Sequence, residues 1–290
     1  MSELLAFSSH FHGAPGRRQH YLDEGQGEVV VMLHGNPTWC YYYRNLVERL
    51  SQRYRCIVPD HLGCGLSDAP SEADYGYSLS ERVDDLESLI EAQAPESKIT
   101  LVLHDWGGMI GMAYAHRHPE RIARFVVLNT AGFRLPSDQA LPRPIAFMRS
   151  RLGRWLIDSH SLFARSASYL AFCRPVSGEI RRAYRAPYEP RHRRVATRRF
   201  VEDIPLTAND PSYAIVAAVE AELEQFCDRP ALIAWGLKDF VFTERFLAKW
   251  QRHWPHAEVQ RFADCGHYVL EDAGPPLIDR IDEFLARHDD

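Results

Sequence analysis

An aspartate stands where this chain could present a nucleophile to a substrate. Asp105 follows the apolar run 99–103 and is flanked by His104, Trp106, Gly107 and Gly108. The run predicts a buried strand and a helical pattern follows it, so Asp105 occupies the strand-to-helix turn typical of a nucleophile elbow. A carboxylate is ionised at neutral pH and can attack a saturated carbon without a base, leaving an ester on itself. This chemistry suits carbon–halogen bonds, epoxides and strained rings.

Two later residues could complete a catalytic triad with Asp105. Asp239 comes just after a predicted strand, and His267 lies on the loop before the last predicted helix. The order nucleophile, acid, histidine is that of hydrolases whose sites assemble at the carboxyl ends of parallel strands. The acid could instead follow an earlier strand, but Asn129 and Thr130 stand there. Each residue alone could be a turn former or a surface side chain, whereas in this order they predict a triad with Asp239 as the acid.

Asn36 and Trp106 are candidates for binding an anion. Asn36 follows the apolar run 29–33, where a backbone N–H could complete an oxyanion hole with that of Trp106. The amide of Asn36 and the indole of Trp106 both offer N–H donors to a leaving group. A turn residue and a packing aromatic are the alternative interpretations of these two positions.

Strand and helix signals alternate through most of the chain, which predicts an α/β fold with a mostly parallel sheet flanked by helices. Ser78 and Glu81 form the pattern of a capping box that begins a helix towards Ala92, and a closing helix is expected over 277–285. The first two strands are expected to pair as a hairpin through the turn 24–27. The predicted strands are 19–23, 29–33, 56–59, 99–103, 125–129, 231–235 and 259–262.

The alternation stops between about residues 134 and 213, where the sequence becomes helical, arginine-rich and interrupted by prolines. We interpret 134–213 as a helical cap domain inserted into a core domain formed by 1–133 and 214–290. The excess of positive charge in the cap indicates a solvated face with ion pairs to the core, or alternatively a face that attracts anions or a partner.

Composition excludes several functions. The 290 residues are 46% hydrophobic and carry a formal net charge of −5, so no basic field favours nucleic acid. No segment has the length of a membrane span or the pattern of a signal peptide, and a soluble cytoplasmic protein is expected. A homo-oligomer is compatible with the sequence, which does not fix the oligomeric state. The six scattered cysteines form no Cys-x-x-Cys pair, and the 14 histidines show no metal-ligand spacing. The glycine-rich stretch 60–68 lacks a P-loop lysine. We expect no metal and no cofactor.

These motifs resemble those of the haloalkane dehalogenases in the α/β-hydrolase superfamily, and the resemblance covers nearly the whole chain. It implies hydrolysis of a small apolar haloalkane to an alcohol and a halide ion through an alkyl ester of Asp105. His267 would be the base, Asp239 the acid, and Asn36 with Trp106 the halide-binding pair, as in the third dehalogenase subfamily. The motifs that carry the resemblance are His34-Gly35-Asn36-Pro37-Thr38-Trp39, His104-Asp105-Trp106-Gly107-Gly108 and Gly266-His267.

A second resemblance is to the β-lactone decarboxylases of bacterial long-chain olefin synthesis, which use the same constellation. It implies conversion of a β-lactone to a cis-olefin and carbon dioxide. It rests on the segments Tyr41–Arg44, Arg182–Tyr188, Phe200–Leu206 and His267–Asp272. Epoxide hydrolases, which share the Asp105 motif and protonate the epoxide from cap tyrosines, remain a third alternative, with Tyr169, Tyr184 and Tyr188 as candidates. A non-catalytic binding module is the fourth.

Overall fold

Eight strands form one sheet in the order β1-β2-β4-β3-β5-β6-β7-β8. The computed structural model describes residues 5–289. The six strands from β3 to β8 run parallel, while β1 and β2 are antiparallel to their neighbours. The strands are β1 His10–His12, β2 Gln19–Glu24, β3 Val29–Leu33, β4 Arg55–Pro59, β5 Ile99–Asp105, β6 Ile122–Thr130, β7 Ala231–Gly236 and β8 Glu258–Phe262.

Helices cover both faces of the sheet because the side chains of a strand alternate between its faces. Val31 and Leu33 lie in the core beneath α2, α3, α9 and α10, whereas Val30 and Met32 lie in the core beneath α1 and α12. The helices are α1 Arg44–Leu50, α2 Leu79–Gln93, α3 Trp106–Arg117, α4 Arg143–Arg149, α5 Arg151–His160, α6 Leu162–Leu170, α7 Gly178–Arg185, α8 Val195–Glu202, α9 Tyr213–Ala221, α10 Glu244–His253, α11 Val269–Ala273 and α12 Pro275–Arg287.

The predicted fold class, a mostly parallel sheet flanked by helices, is confirmed. The capping box forms as expected: the Ser78 side chain accepts from the backbone of Glu81, and the Glu81 carboxylate accepts from the backbone of Ser78. The predicted hairpin of β2 with β3 is wrong, since β4 lies between them. A local turn signal at Gly25 shows that the chain reverses there, but does not show which strand fills the space beside it. The hairpin partner of β2 is β1, which sequence analysis missed.

Five helices, α4 to α8, lie between β6 and α9, and we call them the cap helices. They pack on one another through α4 with α5, α5 with α6, α6 with α7 and α5 with α8. Hydrogen bonds join them to the core: the Trp39 indole donates to the Ala183 carbonyl at 3.1 Å, and the Tyr188 hydroxyl donates to the Thr38 carbonyl at 3.2 Å. The bounds 134–213 for a cap domain stay a prediction.

None of the helices within residues 5–289 combines the length and the apolar character needed to cross a bilayer.

Candidate active site

The nucleophile candidate Asp105 lies at the junction of β5 and α3, in a backbone conformation that few residues adopt. Its φ of 50° and ψ of −125° lie outside the favoured regions for a side-chain-bearing residue, which costs about 1–3 kcal/mol. The surroundings hold the turn in place. A Cβ at Gly107 would stand 2.0 Å from the Leu33 carbonyl oxygen, and one at Gly108 would stand 1.9 Å from the Thr130 hydroxyl. Both glycines are therefore required by close packing beneath the turn.

Asp105 is buried, and its carboxylate faces two kinds of partner. The backbone N–H of Asn36 donates to Oδ1 at 2.6 Å, and Nε2 of His267 lies 3.5 Å from Oδ2. Burial raises the pKa of Asp105 above its ordinary value, while His267 and the backbone N–H groups of Asn36 and Trp106 act against that rise. The same two N–H groups are those expected to form an oxyanion hole.

His267 and Asp239 form a buried hydrogen-bonded pair beside Asp105. Nδ1 of His267 lies 2.8 Å from Oδ2 of Asp239, so the proton of a neutral imidazole sits on Nδ1, and the unprotonated Nε2 lies on the side of Asp105. Burial disfavours the imidazolium, but the carboxylates of Asp239 and Asp105 outweigh this and raise the pKa of His267. The structure thus brings together all three residues of the predicted triad.

The Asp239 carboxylate is fully engaged by hydrogen bonds. Oδ1 accepts from the backbone N–H groups of Val241 at 2.7 Å and Phe242 at 3.1 Å. Oδ2 accepts from the Asn129 amide at 3.0 Å as well as from His267. These bonds fix the carboxylate and, through it, the imidazole ring.

Asn36 and Trp106 both border the site, but the Asn36 amide is partly engaged by the protein. The Asn36 amide donates to the Thr197 carbonyl of α8 at 3.1 Å, while its own Oδ1 is buried without a partner among residues 5–289. Sequence analysis did not foresee this bond to a cap helix. One N–H of the Asn36 amide remains, and the Trp106 indole N–H donates no hydrogen bond to the protein among residues 5–289.

A cavity of about 130 Å³ opens over these residues between the sheet and the cap helices. Its polar lining is confined almost entirely to the floor, where four of the five predicted site residues lie, all except Asp239. The walls are apolar and include Met148, Phe163 and Leu170 from the cap helices and Phe133 and Phe242 from the core. An apolar space above a carboxylate favours an apolar substrate, and a substrate that displaces water from it strengthens electrostatic effects at the floor.

Comparison with known proteins shows which family the chain belongs to. The α/β hydrolase fold family model matches residues 28–274. The chain belongs to the α/β hydrolase fold family. It is 50% identical to the cis-3-alkyl-4-alkyloxetan-2-one decarboxylase of Shewanella oneidensis over 99% of this chain and 91% of that protein. For the enzyme of the same name from Xanthomonas campestris the identity is 48%, over 94% of each chain.

Haloalkane dehalogenases are more distant members of this α/β hydrolase family. The enzyme from Mycolicibacterium paratuberculosis is 34% identical over 91% of this chain and 86% of its own. Among solved structures, the haloalkane dehalogenase DatA from Agrobacterium tumefaciens matches with a TM-score of 0.87 over 99% of both chains at 24% identity. Both resemblances drawn from the motifs are therefore confirmed, with the decarboxylases the closer in sequence.

Several residues of this α/β hydrolase that support the site escaped sequence analysis. Asn129, passed over as a failed acid position, links β6 to β7 by exchanging hydrogen bonds with Gly236 and also holds Asp239. Asp272 accepts from the backbone of Gly266 at 2.7 Å and of Cys173 at 2.9 Å, tying the histidine loop to the end of α6. An acid five residues after a loop histidine was the only available signal.

The segments that resemble β-lactone decarboxylases converge at one place in the fold. Glu271 accepts from both arms of Arg44, at 2.5 and 3.0 Å, and from the Tyr184 hydroxyl at 2.6 Å. The guanidinium of Arg44 lies over the Tyr41 ring, 4.0 Å from its centroid. Three of the four segments quoted for that resemblance thus meet in a half-buried cluster. The cluster links α7 to α11, the helix that begins two residues after His267.

One buried group has the composition of a metal site. His20, Cys40 and Asp60 place ligand atoms within 4.8 Å of one another. Both Asp60 oxygens are already occupied by hydrogen bonds, Oδ1 from the Cys40 backbone at 2.7 Å and Oδ2 from the Leu66 backbone and the His20 ring, each at 2.8 Å. These bonds anchor the glycine-rich loop after β4, so the group supports the loop rather than a ligand.

Proposed function

We propose that this α/β hydrolase is a cis-3-alkyl-4-alkyloxetan-2-one decarboxylase that converts a cis-β-lactone to a cis-olefin and carbon dioxide. The observation that carries the proposal is the similarity along nearly the whole chain to the two decarboxylases, since the geometry of the floor admits lactones and haloalkanes alike. Dehalogenation, the principal expectation from the sequence, has less support because its enzymes are the more distant relatives.

The first step follows from the position of Asp105. A carboxylate oxygen of Asp105 attacks the ring carbon that bears the ring oxygen, with inversion at that carbon. The carbon–oxygen bond of the strained ring breaks, and its electron pair goes to the released carboxylate of the substrate. The Trp106 indole N–H and the remaining N–H of the Asn36 amide receive this carboxylate. The product is an alkyl ester of Asp105 with a carboxylate on the neighbouring carbon.

The second step returns Asp105 to its starting state. The bond between the substrate carboxylate and its carbon breaks, and that electron pair forms the carbon–carbon double bond. The ester carbon–oxygen bond breaks in turn, its electrons return to Asp105, and carbon dioxide leaves. No water or proton is consumed. Inversion followed by departure from opposite faces gives a cis-olefin from a cis-lactone.

Dehalogenation is the second candidate, and one observation favours it. His267 and Asp239 form the pair needed to activate water against an ester of Asp105, and the olefin-forming steps leave that pair without a direct chemical task. Epoxide hydrolysis loses support, since the hydroxyls of Tyr184 and Tyr188 donate to Glu271 and to the Thr38 carbonyl, and neither ring lines the cavity. Tyr169 is exposed and does not line it either.

Turnover in water enriched in oxygen-18 separates the two enzymes. With a cis-3,4-dialkyl β-lactone we expect olefin and carbon dioxide, and an Asp105 peptide that stays unlabelled after many turnovers. With 1-bromobutane, a dehalogenase would release bromide and accumulate the label in the Asp105 carboxylate, because water attacks the ester carbonyl. Bromide release with label in Asp105 and no turnover of lactone would overturn the proposal. Asp105→Ala is the control that should form neither product.

A further inference from the structure

The outer face of helices α4 to α6 carries a concentration of exposed apolar side chains. Of the seven large hydrophobic side chains exposed within residues 5–289, five lie on these three helices. Leu152 and Trp155, one helical turn apart on α5, are 56% and 55% exposed. We call this face the outer cap face; its apolar members are Phe147, Leu152, Trp155, Tyr169 and Leu170.

The same face has an unbalanced positive charge. Residues 143–170 contain five arginines and one acidic residue, Asp158, which pairs with Arg198. Arg149 and Arg154 are neutralised by carboxylates elsewhere on the chain. The remaining arginines, Arg143, Arg151 and Arg165, are exposed and have no acidic partner among residues 5–289. The ion pairs of Arg149 and Arg154 lie within residues 134–213, whereas an ion pair from that segment to the rest of the chain, as sequence analysis expected, forms between Arg198 and Glu72.

We propose that the outer cap face docks on an anionic lipid bilayer. Arginine interleaved with exposed tryptophan, phenylalanine and leucine is the composition of helices that lie in the plane of a membrane interface. The guanidinium groups complement anionic headgroups while the aromatic and aliphatic side chains enter the boundary of the acyl chains. A protein partner would have to supply several carboxylates around an apolar centre, whereas an anionic bilayer presents both features everywhere.

The position of the cavity fits this docking mode. Leu170 is 59% exposed and also lines the cavity above Asp105, so the cavity reaches the surface at the edge of the outer cap face. The opposite sides of α4 and α6 provide cavity wall through Met148 and Phe163. A water-insoluble substrate could pass from the bilayer to the cavity without crossing water. This route of substrate entry rests on the proposed function, whereas binding to lipid does not depend on it.

Trp155 provides a direct optical readout. The other five tryptophans are at most 7% exposed, so a change of emission on adding vesicles reports on Trp155. We expect the emission of the full chain to shift to shorter wavelength with phosphatidylcholine vesicles that contain about one-third phosphatidylglycerol. The shift should be much smaller with pure phosphatidylcholine and should be reversed by about 0.5 M salt. Trp155→Phe should remove the shift.

Charge reversal tests the arginines by co-sedimentation with the same anionic vesicles. We expect Arg151→Glu to weaken binding about tenfold or more and the triple variant at Arg143, Arg151 and Arg165 to abolish it. Arg252→Glu, an exposed arginine on α10, and Phe11→Asp, an exposed aromatic on β1, are matched controls that should bind as the unchanged chain does. Unchanged thermal unfolding of each variant excludes misfolding.

Two outcomes would overturn the proposal. One is the absence of vesicle binding at low salt, or binding that the triple variant does not reduce. The other is a concentration-dependent dimer that depends on Leu152 and Trp155 and forms in the absence of vesicle binding, which would make a second copy the occupant of this face. Vesicle binding is measured without substrate, so loss of olefin formation with retained binding counts against the proposed function alone.

Discussion

The two sides of the cavity floor differ in how completely the protein satisfies their polar groups. On the acid side, Asp239 accepts four hydrogen bonds from protein groups, and Asn129 and His267 are locked against it. On the anion side, the Trp106 indole N–H has no acceptor among residues 5–289, and the buried Oδ1 of Asn36 has no donor there. Protein groups satisfy the hydrogen-bonding capacity of the acid side, whereas the anion side keeps polar groups that have no partner in the protein.

This difference assigns different tasks to the two sides. An N–H donor without a partner in the protein favours a ligand that supplies the missing acceptor. We therefore expect negative charge to develop on the anion side during the proposed reaction. The acid side holds an imidazole in one orientation, which a hydrolytic step requires and the proposed olefin-forming steps do not. Variants on each side should separate the two reactions.

The largest effect is expected from Asp105→Ala. Every step proposed here passes through an ester of Asp105, so olefin formation should fall by about four orders of magnitude or more. Gas chromatography of the olefin measures the loss, and thermal unfolding shows whether the elbow still forms. Activity within tenfold of the unchanged enzyme would remove Asp105 from the mechanism.

Trp106→Phe tests the anion side of the cavity floor. Loss of a single donor to a developing anion costs about 100-fold to 1000-fold in kcat, and we expect a loss in this range with either substrate. The matched control is Trp155→Phe, a tryptophan outside the cavity, which should retain full activity on a short soluble lactone. An equal loss in both variants would mean that the indole N–H of Trp106 is not the receiving group.

His267→Phe should divide the two reactions. His267 holds down the pKa of Asp105, so its loss should slow olefin formation by raising that pKa, far less than the loss of Asp105 does, with no lasting adduct. Any reaction with 1-bromobutane should stop after one turnover, leaving an alkylated Asp105 that intact-protein mass spectrometry detects. If olefin formation instead collapses as far as in Asp105→Ala, then the imidazole takes part directly in the decarboxylation.

The pH dependence sharpens the same division. Hydrolysis of the ester needs neutral His267, whose pKa is raised above 6.5, so kcat for a haloalkane should fall as the pH drops through that raised value. Olefin formation needs ionised Asp105 but no neutral imidazole, so its acid limb should follow Asp105, whose pKa is raised above 3.8 by burial, and not His267. Profiles of kcat with both substrates measure the two limbs. Coincident limbs would show that both reactions depend on the same ionisation.

The sequence was sufficient to predict Asp105, Asp239 and His267 because each stands where a strongly apolar strand ends or a late loop begins. Such positions converge at one edge of a parallel sheet regardless of the remaining details. The supporting residues could not be predicted in this way. Asn129 acts on a partner 110 residues away and Asp272 on one 99 residues away, and no local pattern records those contacts.

The cap shows the same limit for a different reason. Its helices are short, so the helical period leaves the inward and outward faces of a segment such as α5 undecided until neighbours are known. The bond from Asn36 to Thr197 and the exposed position of Trp155 are both consequences of that packing. The prediction of a hairpin between β2 and β3 failed for a similar reason. A turn signal depends on a few neighbouring residues, whereas the order of strands in the sheet depends on contacts between distant parts of the chain.

The smallest effect on olefin formation is expected from Asn129→Ala on the acid side of the cavity floor. It removes the amide that donates to Asp239 and leaves the Gly236 N–H without its acceptor, which should lower the free energy of unfolding by about 1–3 kcal/mol. Olefin formation should fall only a few-fold, since Asp239 keeps its two backbone donors and acts at a distance from Asp105. Denaturant unfolding and olefin assays on the same preparation provide both values. A loss of olefin formation larger than that in Trp106→Phe would reverse the assignment of tasks to the two sides of the floor.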